Sequence, residues 1–255
     1  MLNNLSNLKV EIILPNYNSE KYLTETINSI INQTFTNWNL TIVDGNSNAE
    51  TQKILGKYVD YTNINIIKLK KRKAAGFCRN LAMRNSKCDY IAFIDSDDIW
   101  EKEKLSKQLA FMVQNNYYFT YTNYVSFKQE KQNKFTIIKP DNFFTFEKFI
   151  RNTSIATSTM LIKRNSIGVI KFSNTKICED YFFKCQILKK VRYAYCLGEN
   201  LMKYRIRKDS LQSNKIRNIY WIWYINKNYN KMNFIKNFLS IVFISINSIK
   251  KYGFK

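Results

Sequence analysis

The sequence predicts an α/β protein built on a mostly parallel sheet with flanking helices. Three observations carry this expectation. Short apolar runs alternate with segments of helical periodicity through the first hundred residues, the pattern of right-handed βαβ crossovers. The apolar run Tyr90–Ile94 ends abruptly in Asp95-Ser96-Asp97-Asp98, as a buried strand does when it opens onto a ligand site. Gly and Pro number only six and two, so long disordered linkers are not expected among the 255 residues.

Val10–Leu14, closed by Pro15, reads as the first strand, and Ser19–Gln33 follows with Leu23, Ile27, Ile30 and Ile31 on one helical face. Trp38–Val43 is the second strand, ended by the turn-forming run Asp44-Gly45-Asn46-Ser47-Asn48. A helix through Ile54 and Tyr58 leads to a third strand, Ile64–Lys68; Gly76–Arg84 is helical and Tyr90–Ile94 is the fourth strand. Beyond it, Lys102–Val113 has helical register, Tyr117–Phe127 and Thr157–Ile162 suit strands, and Asp180–Lys189 is a short helix. Residues 216–255 are expected to form helices outside the main fold.

Composition excludes several chemistries. Histidine is absent, which removes a His general base, a Ser-His-Asp triad and zinc sites with histidine ligands. Acid–base work must fall to carboxylates, Lys, Tyr or Cys. Five cysteines, Cys78, Cys88, Cys178, Cys185 and Cys196, form no C-x-x-C pair and read as reduced packing thiols of a cytosolic protein. The opening residues are polar and Asn-rich rather than a secretory signal, and the apolar run Phe238–Ile246 is too short to span a bilayer. The net charge of +22 implies a polyanionic neighbour: nucleic acid, anionic lipid or a phosphorylated ligand.

Asp95 and Asp97 are suited to a hard divalent cation, Mg²⁺ or Mn²⁺, which prefers oxygen ligands and bridges readily to a diphosphate. The same acids also suit the N-terminus of a helix beginning near Ile99, with Ser96 or Asp97 as its cap.

Several segments in order and spacing resemble the family 2 glycosyltransferases: Ile13-Leu14-Pro15-Asn16-Tyr17-Asn18, Ile30-Ile31-Asn32-Gln33-Thr34-Phe35, Leu40–Asp44, Ala75-Gly76-Phe77-Cys78-Arg79-Asn80 and Tyr90–Trp100. The resemblance is strong over residues 9–110 and thinner at Glu179-Asp180 and Tyr204-Arg205. It implies the GT-A fold and inverting transfer of a sugar from a nucleotide donor, with a UDP-sugar favoured. By the resemblance, Asp95-Ser96-Asp97 is the DXD motif, Asp97 the direct metal ligand, and Asp95 a neighbour of the ribose or donor sugar. Asp98 would cap the next helix or assist the donor site. Pro15 and Tyr17 fall where the family cradles the base. Asp44 ends the second strand, but Gly45 stands where the family usually has a second acid, so uracil recognition falls to Asp44 or the donor is less conventional. Arg79 and Asn80 match the family's Arg-Asn pair, with Arg79 facing phosphate or an acid of the DXD motif. The run Lys70–Lys73 reads as a solvated loop.

Inversion requires a base for the acceptor hydroxyl. Cys178-Glu179-Asp180-Tyr181 resembles the family's Glu-Asp pair; Asp180 is the expected base and Glu179 the alternate. Tyr204–Ser210 resembles a late loop from which Arg205 or Arg207 could reach the diphosphate on closure.

The expected organisation is one GT-A-like domain over residues 1–215, with a nucleotide half to about residue 100 and an acceptor half after it, followed by a basic aromatic tail, 216–255. The acceptor would be a glycan or a lipid-linked precursor of lipopolysaccharide or capsule. No acid follows Asp209, while aromatic residues recur among Lys and Arg, so the tail is expected to lie on the cytoplasmic face of the inner membrane without crossing it, or else to pack on the domain. A nucleic-acid-binding protein and an inactive glycan-binding module are the rivals; no nucleic-acid motif is present, so nucleic acid is not expected as a partner.

Overall fold

The computed structural model describes residues 5, 7–128, 135–207 and 214–252. Strands β1 (Val10–Asn16), β2 (Trp38–Asp44), β3 (Ile64–Lys68) and β4 (Tyr90–Phe93) are joined by helices α1 (Leu23–Ile31), α2 (Ala49–Gly56) and α3 (Ala75–Asn85). The four strands are parallel in the order β3-β2-β1-β4, so the connections leave β1 in both directions. Such a reversal opens a crevice at the carboxyl ends of β1 and β4. Pro15 is accommodated in β1 because pairing with β4 stops at Ile13 and Phe93, where an N–H is no longer needed on that side.

After β4 come a short β5 (Ile99–Trp100), α4 (Lys104–Gln114), β6 (Phe119–Phe127), β7 (Phe135–Ile138), β8 (Phe143–Phe144) and a one-turn α5 (Phe146–Phe149). A single 3-10 turn, Thr157–Thr159, precedes β9 (Leu161–Lys163) and α6 (Arg164–Ile167). Helix α7 (Glu179–Val191) and the long β10 (Ala194–Arg205) follow. The sheet continues β4-β9-β6-β10-β5, with β9 antiparallel to both neighbours and β10 parallel to β6. The sheet is therefore mostly parallel, as expected, with antiparallel insertions.

Alternate residues of β1 define its two faces. Ile12 and Leu14 face Leu23, Ile27 and Ile30 of α1, Leu55 of α2 and Leu105 and Leu109 of α4. Ile13 faces the opposite layer with Cys78 and Ala82 of α3 and Phe183 and Ile187 of α7. Helices α8 (Lys215–Asn228) and α9 (Phe234–Tyr252) add Ile222, Ile225 and Ile244 to that second layer. The tail expected outside the main fold thus contributes to its core.

Three local expectations differ from the structure. Ile99 begins no helix; Ile99–Trp100 pairs with β10 and the helix starts at Lys104, which removes capping as the reason for Asp95–Asp98. Thr157–Thr159 is a turn rather than strand, and the strand there is only Leu161–Lys163. Tyr204 and Arg205 end β10 rather than forming a loop, because β6 supplies Ser126 and Phe127 as register partners. Residues 208–210 of that expected loop lie outside the described residues.

Candidate active site

The end of β4 carries the centre of the site. Ile94 still bonds to β1 through its N–H, and the chain then turns at Ser96 and Asp97, closed by the Asp98 N–H to the Asp95 carbonyl at 3.1 Å. Asp98 is buried and points inward, where its carboxylate accepts from the Ser158 hydroxyl at 2.5 Å and the Arg205 N–H at 3.1 Å. Burial, then the charges of Asp97 and Asp95, push its pKa well up. Asp98 therefore anchors the loop, and Asp95, Ser96 and Asp97 remain half-exposed in the crevice.

Two arginines meet those carboxylates. Arg79, buried in α3, binds Asp95 through Nη2 at 2.6 Å and Glu179 through Nη1 at 3.1 Å. Burial alone would lower the Arg79 pKa, but Asp95 and Glu179 hold it above its usual value. Its Nε is buried without a hydrogen-bond partner. Arg207 binds Asp97 through Nε at 2.9 Å. Burial nevertheless outweighs Arg207 and pushes the Asp97 carboxyl up to about 6. Arg205 lies behind the loop, donating to the Asp97 carbonyl at 2.9 Å and pairing with Glu25.

Helix α7 brings the second pair of acids. Cys178 takes the left-handed backbone conformation, φ 61°, and turns the chain so that Glu179 and Asp180 both fall in the first turn, where the helix dipole favours them. Gly76 makes this approach possible: a Cβ there would stand 2.7 Å from Glu179 Cγ. Burial raises the Glu179 pKa against the opposing pull of Arg79. Asp180 behaves oppositely. Burial would raise it too, but Lys184, one turn on and 2.7 Å away, brings it down to about 2.

The turn Thr157–Thr159 joins the two acid pairs, and nothing in the sequence singled it out. Thr157 Oγ1 donates to Asp180 at 3.2 Å and accepts from Lys184 Nζ at 3.1 Å. Ser158 accepts the Asp95 N–H at 3.0 Å while donating to Asp98. Its carbonyl accepts from the Trp100 indole at 2.8 Å, and Gln108 donates to the Thr159 carbonyl at 2.9 Å. Three small polar residues in a row carry no signal beyond a turn; only the fold shows that they span both halves of the site.

At the end of β2, Asp44 is fully buried and accepts from Asn16 Nδ2 at 2.7 Å, Gln52 Nε2 at 2.6 Å, the Ser47 N–H at 3.0 Å and the Ser47 hydroxyl. A carboxylate has about four acceptor positions, so these donors fill it. Gly45 lies close beneath the neighbouring loop: a Cβ would stand 3.3 Å from the Asn16 carbonyl and 3.6 Å from the Tyr17 ring. Tyr17 is exposed with the Arg72 guanidinium 4.2 Å over its ring, while Pro15 is buried within β1. Both ends of the Asn80 amide clamp the Phe172 backbone, at 2.9 and 2.8 Å, so Asn80 fixes the wall behind Arg79.

Asp95, Asp97, Arg79, Arg207, Glu179 and Asp180 thus converge at the sheet's carboxyl edge, with Asp44 and Tyr17 at the end of the same crevice. Among the described residues no three potential metal ligands form an all-protein cage. Two aspartates suit Mg²⁺ or Mn²⁺, which are held by one or two carboxylates together with substrate phosphates.

This is the arrangement of a sugar-nucleotide transferase of GT-A fold. The profile of Glycosyl transferase family 2 matches residues 11–181, and the chain belongs to that family. TuaG of Bacillus subtilis (strain 168), a glycosyltransferase provisionally assigned to teichuronic acid biosynthesis, is 31% identical over 95% of this chain and 96% of its own. WfgD of Escherichia coli, a UDP-Glc:alpha-D-GlcNAc-diphosphoundecaprenol beta-1,3-glucosyltransferase, is 31% identical over 96% of this chain and 95% of its own. Among solved structures, S. aureus TarS 1-349 in complex with UDP-GlcNAc superposes with a TM-score of 0.73 at 20% identity, over 95% of this chain and 73% of that one. The mannosyltransferase PcManGT from Pyrobaculum calidifontis, in complex with GDP-Man and Mn2+, gives 0.68 at 12% identity, over 98% and 78%.

Proposed function

We propose that the chain is an inverting, metal-dependent glycosyltransferase that moves a sugar from a nucleoside-diphosphate sugar, with UDP favoured, to a hydroxyl of a lipid-linked saccharide. The observation that carries this is the pairing of two acid sets across one crevice: Asp95 and Asp97 on one side, Glu179 and Asp180 on the other, joined through Arg79 and the Thr157–Thr159 turn. The lipid-linked acceptor is supported by the likeness to WfgD along nearly the whole chain.

Asp97, with Asp95, would hold Mg²⁺ or Mn²⁺. When bound, the ion neutralises the diphosphate and acts as a Lewis acid toward it. Arg207 pairs with Asp97 and would turn to the diphosphate when the donor binds. Tyr17 offers a ring for the base, while Asp44 shapes that pocket from beneath by fixing Asn16 and Ser47. Asp180 takes the proton of the acceptor hydroxyl as its oxygen bonds to the anomeric carbon; the bond from that carbon to the diphosphate breaks and the nucleotide leaves with the electron pair. Lys184 keeps Asp180 ionised for this step, and Glu179 orients Arg79. Such an acceptor places the enzyme at the cytoplasmic membrane surface.

The test is a panel of UDP- and GDP-sugars with Mn²⁺, read by thermal shift and then by transfer to a GlcNAc-diphospholipid. A donor well above its dissociation constant is expected to stabilise the fold by ~3 kcal/mol. Stabilisation by no donor, with glycan binding retained, would identify an inactive module instead.

A further inference from the structure

Helix α9 is amphipathic in the reverse sense. A surface helix ordinarily turns its apolar stripe to the core. Helix α9 turns Asn237 and Ser240 inward beside Ile244. Asn237 donates to the Trp223 carbonyl at 3.1 Å, Ser240 to the Ile150 carbonyl at 2.5 Å, and Asn247 to the Arg151 carbonyl at 2.9 Å. Phe234, Ile235, Phe238, Leu239, Phe243 and Ile246 lie on the other side, 39–71% exposed. At about 100° per residue they occupy one continuous half of the helix. Scattered apolar residues on a surface need no explanation, but a contiguous stripe does.

The charge around this stripe selects what covers it. No acid occurs in the chain after Asp209, and Lys227, Lys231 and Lys250 are exposed. The Arg151 guanidinium lies 5.5 Å over the Phe243 ring, and Glu147, the carboxylate paired to this helix, is neutralised by Lys236 at 2.8 Å. A net charge of +22 sets two copies of the chain against each other and draws each toward an anionic surface. No helix among the described residues is long and apolar enough to cross a membrane.

We propose that the outer face of α9 docks the protein on an anionic lipid surface, its rings at the headgroup boundary and the flanking Lys and Arg on lipid phosphates. The polar inner face is what lets the helix do this: hydrogen bonds hold α9 to the domain, and the apolar stripe is left for lipid. This surface stands independently of the transfer reaction; the lipid-linked acceptor supplies only its purpose.

Full-length protein is sedimented with vesicles of phosphatidylglycerol and phosphatidylcholine, and with phosphatidylcholine alone. Two variants accompany it, Ile235→Ser/Phe238→Ser/Leu239→Ser and Lys227→Glu/Lys231→Glu/Lys250→Glu. The expected result is binding to the anionic vesicles that each variant weakens at least ~tenfold, with melting temperature and donor binding unchanged. Equal binding by wild type and variants, no binding at all, or equal binding to neutral vesicles would overturn the proposal. So would a dimer in sedimentation velocity that the serine variant dissociates, since a second copy would then be the occupant. Failure of wild type to bind any donor would count against the transferase reading and leave this surface untouched.

Discussion

Arg207 holds the Asp97 carboxylate through Nε at 2.9 Å, a cation paired to the acid proposed to take a divalent one. Under the proposed role of Asp97 as a metal ligand, metal and guanidinium compete for the same charge. Arg207→Gln is expected to tighten Mn²⁺ binding in the absence of nucleotide by about fivefold, the value of a part-exposed ion pair of about 1 kcal/mol. The same substitution should weaken UDP binding when Mn²⁺ is present, because the guanidinium then faces phosphate. Asp97→Ala should abolish the Mn²⁺ dependence altogether while the fold survives. Calorimetry with Mn²⁺, with and without UDP, reads all three.

Ser158 is the next test, because its hydroxyl accepts the Asp95 N–H while donating to the Asp98 carboxylate. Ser158→Ala leaves a backbone N–H and a buried carboxyl each short of a partner, at a cost of about 1–3 kcal/mol. The expected signature is a loss of Mn²⁺–UDP affinity together with a fall in kcat, both largely restored by Ser158→Thr. A purely structural role would lower the denaturation midpoint and leave metal affinity alone.

The difference between Asp95 and Ser158 is also the difference between what sequence does and does not disclose. A buried parallel strand is an apolar run, and acids at its end are conspicuous, so β1 to β4 and the carboxylates beyond them were legible. Strand β10 was not, because its middle residues Gly198, Glu199 and Asn200 are exposed and its pairing with β6 is broken by two register shifts. No period survives such interruptions. The Thr157–Thr159 turn was invisible for another reason: its function comes from neighbours sixty or more residues away in Asp95 and Asp98, and about twenty-five away in Asp180 and Lys184. Likewise the tail showed aromatic residues among Lys and Arg but not which way α9 would turn them. Which face meets the domain is decided by the carbonyls of Trp223, Ile150 and Arg151.

Asp180→Asn is expected to leave donor affinity nearly unchanged and to cut turnover by ~10²-fold or more, as for loss of a general base. Because Lys184 holds Asp180 down to about 2, the proposed base is ionised throughout the working range, and the acid limb of the rate profile should not belong to it. Lys184→Gln removes the largest influence opposing burial. The Asp180 pKa should then climb, and a new acid limb should appear at higher pH than in wild type. Single-turnover rates across pH distinguish this from simple destabilisation. If Glu179→Gln stops turnover and Asp180→Asn does not, the two roles are exchanged.

Lys104 carries the last prediction. It is fully buried at the start of α4, with Nζ 2.9 Å from Gln108 Oε1 and 4.0 Å over the Trp100 ring, and burial lowers its pKa from 10.5 to about 7. Between those values the unfolded chain binds a proton that the native chain does not, so stability should rise with pH, by up to ~1.4 kcal/mol per unit from this site. Below about 7 both states hold the proton and the contribution becomes flat. Lys104→Met removes the rise and should be more stable than wild type at pH 7, since no buried charge remains. Urea midpoints at pH 7 and 8.5 for both chains give the answer as a difference, in which the contribution of the buried thiols, raised by burial and common to both chains, cancels. Because Lys104 lies against Trp100, whose indole holds the Ser158 carbonyl, the variant should also report on the site: unchanged Mn²⁺–UDP affinity is expected if the ring keeps its place without the cation.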